Sequence, residues 1–210
     1  MLERVESDPN ILDYVVTGDE SWVYQYDPET KRQSEEWHTS ASPRPKKARM
    51  SKSKVKTMIL AFFDNVGMVH WEFLPPGQTL TDAYYKQVLI RLNRNVKRRR
   101  PVIATSWKLH HDNAPVHTAG VVTDYLDKIG VKTLPQPPYS PDLSPPDFFL
   151  FPKLKRPLKG HRFDDVDAIQ EAVAKSLKDI PESAFQEAFA AWKSRWQRCI
   201  DAQGQYFEEY

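Results

Sequence analysis

Cysteine is almost missing from this sequence: Cys199 is the only one in 210 residues. An internal disulfide is therefore excluded, and a reducing compartment is expected. Long apolar runs are missing as well. No stretch approaches the ~20 apolar residues that a membrane-spanning helix needs. The charged start, MLERVESDPN, lacks the apolar segment of a signal peptide. No internal repeat is found. Nor is one sign of charge in excess: 30 Lys and Arg stand against 28 Asp and Glu, a formal net charge of +2.

What is present suffices for one sizeable core. The chain is 40% hydrophobic, with six Trp, nine Tyr and ten Phe, and its length suits one domain carrying an insertion. The basic residues are clustered despite the near-neutral total. Seven fall between Arg44 and Lys56 with no acid among them; Arg91, Arg94 and Lys97 to Arg100 form a second group. Lys153, Lys155, Arg156, Lys159 and Arg162 form a third. A single such run reads as solvated surface, but three favour a polyanion partner, because each phosphate contact releases counterions.

Strand signals come first. ILDYVV opens a β-branched and aromatic run that ends in Thr17-Gly18-Asp19-Glu20. Residues 28–54 are polar and aperiodic, longer than the ~15 residues usual for a loop inside a compact domain. VKTMILAFFD and MVHWEFL, separated by Asn65-Val66-Gly67, read as a hairpin. Tyr85, Val88, Leu89, Leu92 and Val96 are spaced for a helix that Thr81 or Asp82 can cap. WKLHHD and VKTLP read as short strands, with one helix between them from about His117 to Ile129 and Gly130 just past its end. The remainder is helical, with stripes at Val166, Ile169, Val173 and Leu177, then Phe185, Phe189, Trp192, Trp196 and Ile200. This order implies an α/β fold, a mixed sheet with helices on its faces.

Three acids stand out. Asp19 follows the first strand, Asp112 ends KLHHD, and Asp147 follows six prolines in twelve positions, Pro135 to Pro146. Each has an ordinary alternative. Asp19 can be a turn acid after Gly18, Asp112 can open an Asx-turn in DNAP, and Ser144-Pro145-Pro146-Asp147 resembles a capping box. Ligands of open α/β sheets gather beyond the carboxyl ends of strands. If the proline segment carries the chain back across the sheet, the three acids converge there. Clustered carboxylates repel and call for a cation. Oxygen ligands without Cys suit Mg²⁺ or Mn²⁺, and two ions serve phosphodiester displacement. His111 and His117 flank the second acid and read as structural imidazoles.

At TGDESW (17–22), HDNAPVH (111–117) and YSPDLSPPDFFLFPKLK (139–155), the sequence resembles the catalytic domain of mariner-family transposases of the Tc1/mariner group. FLPPGQTLTDAYY (73–85) and SRWQRCIDAQGQYFE (194–208) extend the resemblance over nearly the whole chain. The 34 residues between Asp112 and Asp147 match the spacing that marks mariner among its relatives.

The resemblance implies an RNase H-like fold and cut-and-paste DNA transposition. Asp19, Asp112 and Asp147 fall on the family's metal-binding acids, expected to meet around two Mg²⁺ or Mn²⁺ ions. Residues from about 25 to 54 correspond to its clamp loop, inserted between the first two strands. There Arg44, Lys46, Lys47 and Arg49 are expected to contact DNA. Expected partners are transposon-end and target DNA and, in the full-length protein, a second copy of the chain; no membrane is expected. The family's N-terminal helix-turn-helix modules are expected to be missing, because MLERVESDPN begins just before the first strand. A nuclear location is expected; the run VKRRRP (96–101) is an import-signal pattern. Two alternatives stay open: a domesticated, non-catalytic module for DNA binding or dimerisation, and an RNase H-like nuclease acting on RNA–DNA hybrids.

Overall fold

Strand β1 (Val15–Tyr24) lies third in a five-stranded sheet of order β3-β2-β1-β4-β5. β2 (Lys56–Asp64) and β3 (Gly67–Phe73) continue it antiparallel, while β4 (Lys108–His110) and β5 (Lys132–Leu134) are parallel to it. The computed structural model describes residues 10–30 and 50–203, together with Val5, Ser7, Asp8, Gln33 and Ser34. The basic residues Arg44, Lys46, Lys47 and Arg49, and most of the 25–54 excursion, lie outside the described residues. Its two ends are zipped beyond the strands, with Gln25 N–H donating to Val55 O and Ser53 N–H to Tyr26 O, both at 3.0 Å.

Side chains alternate across β1, and so does the core. Val15 and Val23 pack on one face with α5 (Val166–Lys178) and α6 (Glu182–Asp201), around Phe63, Phe185, Phe189 and Trp192. Val16 packs on the other face with α1 (Asp82–Arg99) and α3 (Gly120–Lys128), around Leu60, Phe62, Leu89 and Leu109. Thr81 caps α1 by accepting from Tyr84 N–H at 3.2 Å, and the five predicted stripe residues of α1 are all buried. Gly130 turns the chain into β5 at φ 71°.

Four expectations need correction. Thr17-Gly18-Asp19-Glu20 is not a turn; β1 runs through it, so Asp19 sits mid-strand. The local signal misled because Gly18 is there for packing: a Cβ on it would stand 2.1 Å from Cδ1 of Phe62, its cross-strand partner. The single helix expected over 117–129 is two, α2 (Pro115–Thr118) and α3, broken at Ala119, whose ψ of 144° is extended. Asp147 opens a π-helical turn, Pro146–Leu150, which leads into the short α4 (Phe151–Lys155). Ile200, assigned to the α6 stripe, is 57% exposed.

Candidate active site

The parallel register sets the level of the first two acids. Thr17 pairs with His110, the last rung between β1 and β4. Two residues further along each chain come Asp19 and Asp112, so they stand at the same height on neighbouring segments. β4 ends one residue before His111, and β1 passes beyond it, paired on its other side with β2. Asp19 is thus reached through a strand interior and Asp112 through a strand end.

The third acid is placed by the proline segment, which is anchored at both ends. His110 donates through Nε2 to Gln136 Oε1 at 2.9 Å and accepts from Thr17 Oγ1 at 2.8 Å. This tautomer follows from Gln136 Oε1 being an acceptor, and burial pushes His110 down to about 4, keeping it neutral. Asn113 Nδ2 donates to Gln136 O at 2.7 Å, and Gln136 Nε2 donates to Ser140 O at 2.7 Å. Further on, Trp192 Nε1 donates to Leu143 O at 2.8 Å and Arg195 Nη1 to Asp142 O at 3.2 Å. The segment is pinned to β4 and to α6, and the turn carrying Asp147 packs against β1. The expected capping box is not formed by side chains: the backbone carbonyl of Ser144 accepts from the N–H groups of Asp147 at 2.9 Å and Phe148 at 3.0 Å, and the Ser144 side chain helps to hold the Asp147 carboxyl down.

The three carboxylates share one electrostatic field. Burial, then Glu20, Asp147 and Asp112, push Asp19 up to about 8, against the stabilising bond from Glu20 N–H at 2.7 Å. Asp147 is raised by burial and by Asp112, and lowered by Ser144 and Lys155. Asp147 stands between two clefts: one of about 400 Å³ shared with Asp112, Gln136 and Tyr139, and one of about 750 Å³ shared with Ser21 and Lys155. Among the described residues, no three His, Cys, Asp or Glu side chains stand close enough as placed to enclose a metal ion.

His117 takes a larger part than its sequence reading gave it. Its ring is fully buried, and it bridges the two strands: Nδ1 donates to Asp112 Oδ1 at 2.6 Å and Nε2 to Glu20 Oε1 at 3.2 Å. Burial opposes its charge, but these carboxylates outweigh burial and raise it to about 10, so it is an imidazolium. It stacks on His111 at 4.9 Å and lies 4.2 Å from the Tyr85 ring. Burial and the neighbouring His117 hold His111 down to about 3, keeping it neutral, and its Nδ1 shares a hydrogen bond of 2.9 Å with the Tyr85 hydroxyl. His117 is five residues beyond Asp112, and only the chain reversal at Asn113-Ala114-Pro115 folds it back. The Asx-turn in that stretch is real, with Ala114 N–H donating to Asp112 Oδ1 at 3.0 Å.

A family model described as transposase, partial DDE domain, matches residues 27–105. The mariner Mos1 transposase of Drosophila mauritiana is 32% identical over 202 residues, 95% of this chain and 58% of that protein. The structure of the Mos1 transposase catalytic domain with raltegravir and Mn is 30% identical, with a TM-score of 0.80 over 99% of this chain and 90% of that one. The chain belongs to the mariner transposase family. This mariner chain accordingly has an RNase H-like fold. It also superposes on the Mos1 paired-end complex with left transposon end at a TM-score of 0.88 and 33% identity, covering 99% of the mariner chain described here and 60% of that one. It spans little more than half the length of the Mos1 transposase.

Proposed function

We propose that this chain is the catalytic domain of a DNA transposase, cutting DNA strands at transposon ends and transferring the 3′-hydroxyl into target DNA. The observation that carries the reading is that Asp19 and Asp112 stand at one height on neighbouring central segments, past the Thr17–His110 rung, with Asp147 brought against β1 from a third segment. A carboxyl raised to about 8 by burial first and by its acidic neighbours second lacks a counter-charge. The donors are all hard oxygens, so the site fits Mg²⁺ or Mn²⁺, two ions in our reading, held by these three acids.

When bound, such ions acidify a water and stabilise the attacking and leaving oxygens of the phosphodiester. The chain's own part is orientation. His117 and Ala114 N–H both engage Oδ1 of Asp112, so Oδ2 is the oxygen left for a ligand. Glu20 N–H likewise engages Oδ1 of Asp19. Ser144 restrains Asp147. Water's oxygen bonds to phosphorus as the bond to the 3′-oxygen breaks. The freed 3′-hydroxyl later displaces the corresponding oxygen of target DNA, with no covalent protein intermediate.

A second reading is a domesticated module that binds DNA or dimerises without catalysis. One observation favours it: Asp112 is already bonded to His117, and the described acids do not close around an ion as placed. Mn²⁺ calorimetry, a nicking assay on intact transposon-end DNA and strand transfer with a precut end separate the two. Mn²⁺ binding and nicking that both fall below detection in Asp112→Asn and Asp147→Asn support the transposase. Full activity in either variant, or no Mn²⁺ binding by wild type, defeats it. Cleavage of RNA–DNA hybrids without strand transfer would point to the nuclease alternative.

Pairing of two copies on transposon ends and a nuclear location belong to the same proposal. The first is supported by the Mos1 paired-end complex; sedimentation of the chain with end DNA tests it. The second rests on VKRRRP alone. Lys97, Arg98 and Arg99 are exposed, but Arg100 is engaged by Asp64, with Nε to Oδ2 at 2.6 Å. Imaging of a tagged chain with Lys97 to Arg99 replaced tests that location. Contact of Arg44, Lys46, Lys47 and Arg49 with phosphates rests on their charge; replacing all four with Ala in the same DNA assays is expected to flatten the salt dependence by up to about four units.

A further inference from the structure

We propose that Lys155 and the cleft it lines form a binding site for a DNA backbone phosphate beside Asp147, an assignment that rests on reading the chain as a DNA-cutting domain. The cleft, about 750 Å³, reaches from Asp147 to Lys52, Arg156 and Lys159. It holds four cations against two carboxylates, Asp27 and Asp147. Asp27 takes Lys52 at 3.7 Å, so Lys155, Arg156 and Lys159 face a surplus of their own sign.

Lys155 is the unusual member. It is half-buried, its Nζ donating to Ser21 Oγ at 2.5 Å and lying 5.6 Å from the Phe151 ring centre. Among the described residues, no carboxylate stands within ion-pair distance of it. Burial, Lys52 and Lys159 work against its charge and outweigh Asp27 and Asp147, which favour it from beyond ion-pair distance. A partly desolvated ammonium with a hydroxyl as hydrogen-bond partner is unfavourable unless an anion completes it. An ammonium has three donors, and Ser21 takes one.

The position fits the proposed chemistry. Ser21 lies two residues beyond Asp19, so both side chains leave β1 on the same face. Lys155 closes α4, which follows directly from the turn bearing Asp147. One side chain thus joins the strand of the first acid to the helix following the third. A phosphate there would sit next to the acids, and Arg156 and Lys159 extend the positive lining along the cleft. A row of cations suits a continuous backbone better than a lone anion. The competing account is a tether, in which Lys155 only fastens α4 to β1.

The test uses the full 210-residue chain and a short DNA duplex, with affinity followed by fluorescence anisotropy across salt. Lys155→Gln keeps a donor for Ser21 but removes the charge; Lys155→Arg keeps the charge. The glutamine variant is expected to flatten the slope of log K against log salt by about 0.9, the value for one duplex phosphate, and the arginine variant to preserve it. Duplexes carrying one neutral methylphosphonate, moved along each strand, are expected to reveal a position that weakens wild type and has no further effect on Lys155→Gln. An unchanged slope together with purely additive methylphosphonate effects overturns the proposal and leaves the tether. Should Lys155→Gln fail to fold, Lys155→Met replaces it and is read the same way. A wild type that shows the Lys155-dependent slope yet never nicks with Mn²⁺ removes the transposase reading and keeps the phosphate site. Nicking by wild type with no Lys155 dependence of binding does the reverse.

Discussion

β1 divides two chemically different neighbourhoods. On the α1 face three acids are paired: Glu20 with His117, and Glu72 with Arg91 at 2.7 Å, the His70 ring lying 2.8 Å from its carboxylate. Asp64, almost fully buried, has Arg100. On the opposite face, Asp19 has other acids for neighbours, and Lys155, reaching β1 from α4, is bonded to Ser21 two residues further along. Among the described residues, the acids of one face are paired and those of the other are not. Structural ion pairs are satisfied internally, whereas a buried acid among acids, and a half-buried lysine with no carboxylate at ion-pair distance among the described residues, point to matter supplied from outside: cations for one, phosphate for the other.

The largest effect expected inside this contrast comes from His117, a buried ring that packs on the α1 face and bonds the Asp112 carboxylate. His117→Ala should lower Mn²⁺-dependent nicking by roughly 10–100-fold, as expected when a partner that orients a metal-binding carboxylate is removed. Rates equal to wild type, measured on a folded variant, would make the cluster purely architectural. A smaller effect is expected at Gly18, where the faces meet in the strand itself. Gly18→Ala should cost about 1–3 kcal/mol in urea denaturation, the usual penalty of overpacking, because its Cβ would overlap Phe62. Adding Phe62→Leu should return part of that loss; no recovery would locate the strain elsewhere.

The smallest effect tests the completeness of the α1 face. Burial opposes ionisation of Glu72, but His70 and Arg91 prevail and hold it down to about 2, below its ordinary 4.5. The folded state therefore binds the proton less readily than the unfolded one. Glu72's contribution is fully present above about 4.5 and is lost as pH falls toward 2. Wild type should lose more stability than Glu72→Gln across that window. Parallel stability curves for the two proteins would mean that the network around Glu72 carries little free energy.

Much of this was legible in the sequence because it was local. The α1 stripe, the Thr81 cap, the hairpin strands and Gly130 follow from spacing and turn chemistry alone. The acids were legible as candidates, Asp112 and Asp147 most clearly, because turn and proline signals surround them. What escaped depended on distant residues. β1 continues through Thr17-Gly18-Asp19-Glu20 only because Phe62, 44 positions away, needs the space above Gly18. His117's role requires Glu20 from another strand. Lys155 looked like one more member of a basic run until Ser21, 134 residues earlier, was seen to hold it. Ile200 continued a helical stripe but lies on the open rim of a cleft beside Trp196 and Pro135.

The rung between Thr17 and His110 carries one more implication. Asp19 and Asp112 lie two residues past it on adjacent parallel segments, so inserting or deleting a single residue between rung and acid on either segment would turn that carboxylate to the opposite side of the sheet. Chain length is free to vary upstream, in the excursion after β1 or between β3 and β4, without disturbing this alignment. Grafting the site onto another scaffold therefore requires copying both two-residue steps faithfully, together with the segment that delivers Asp147.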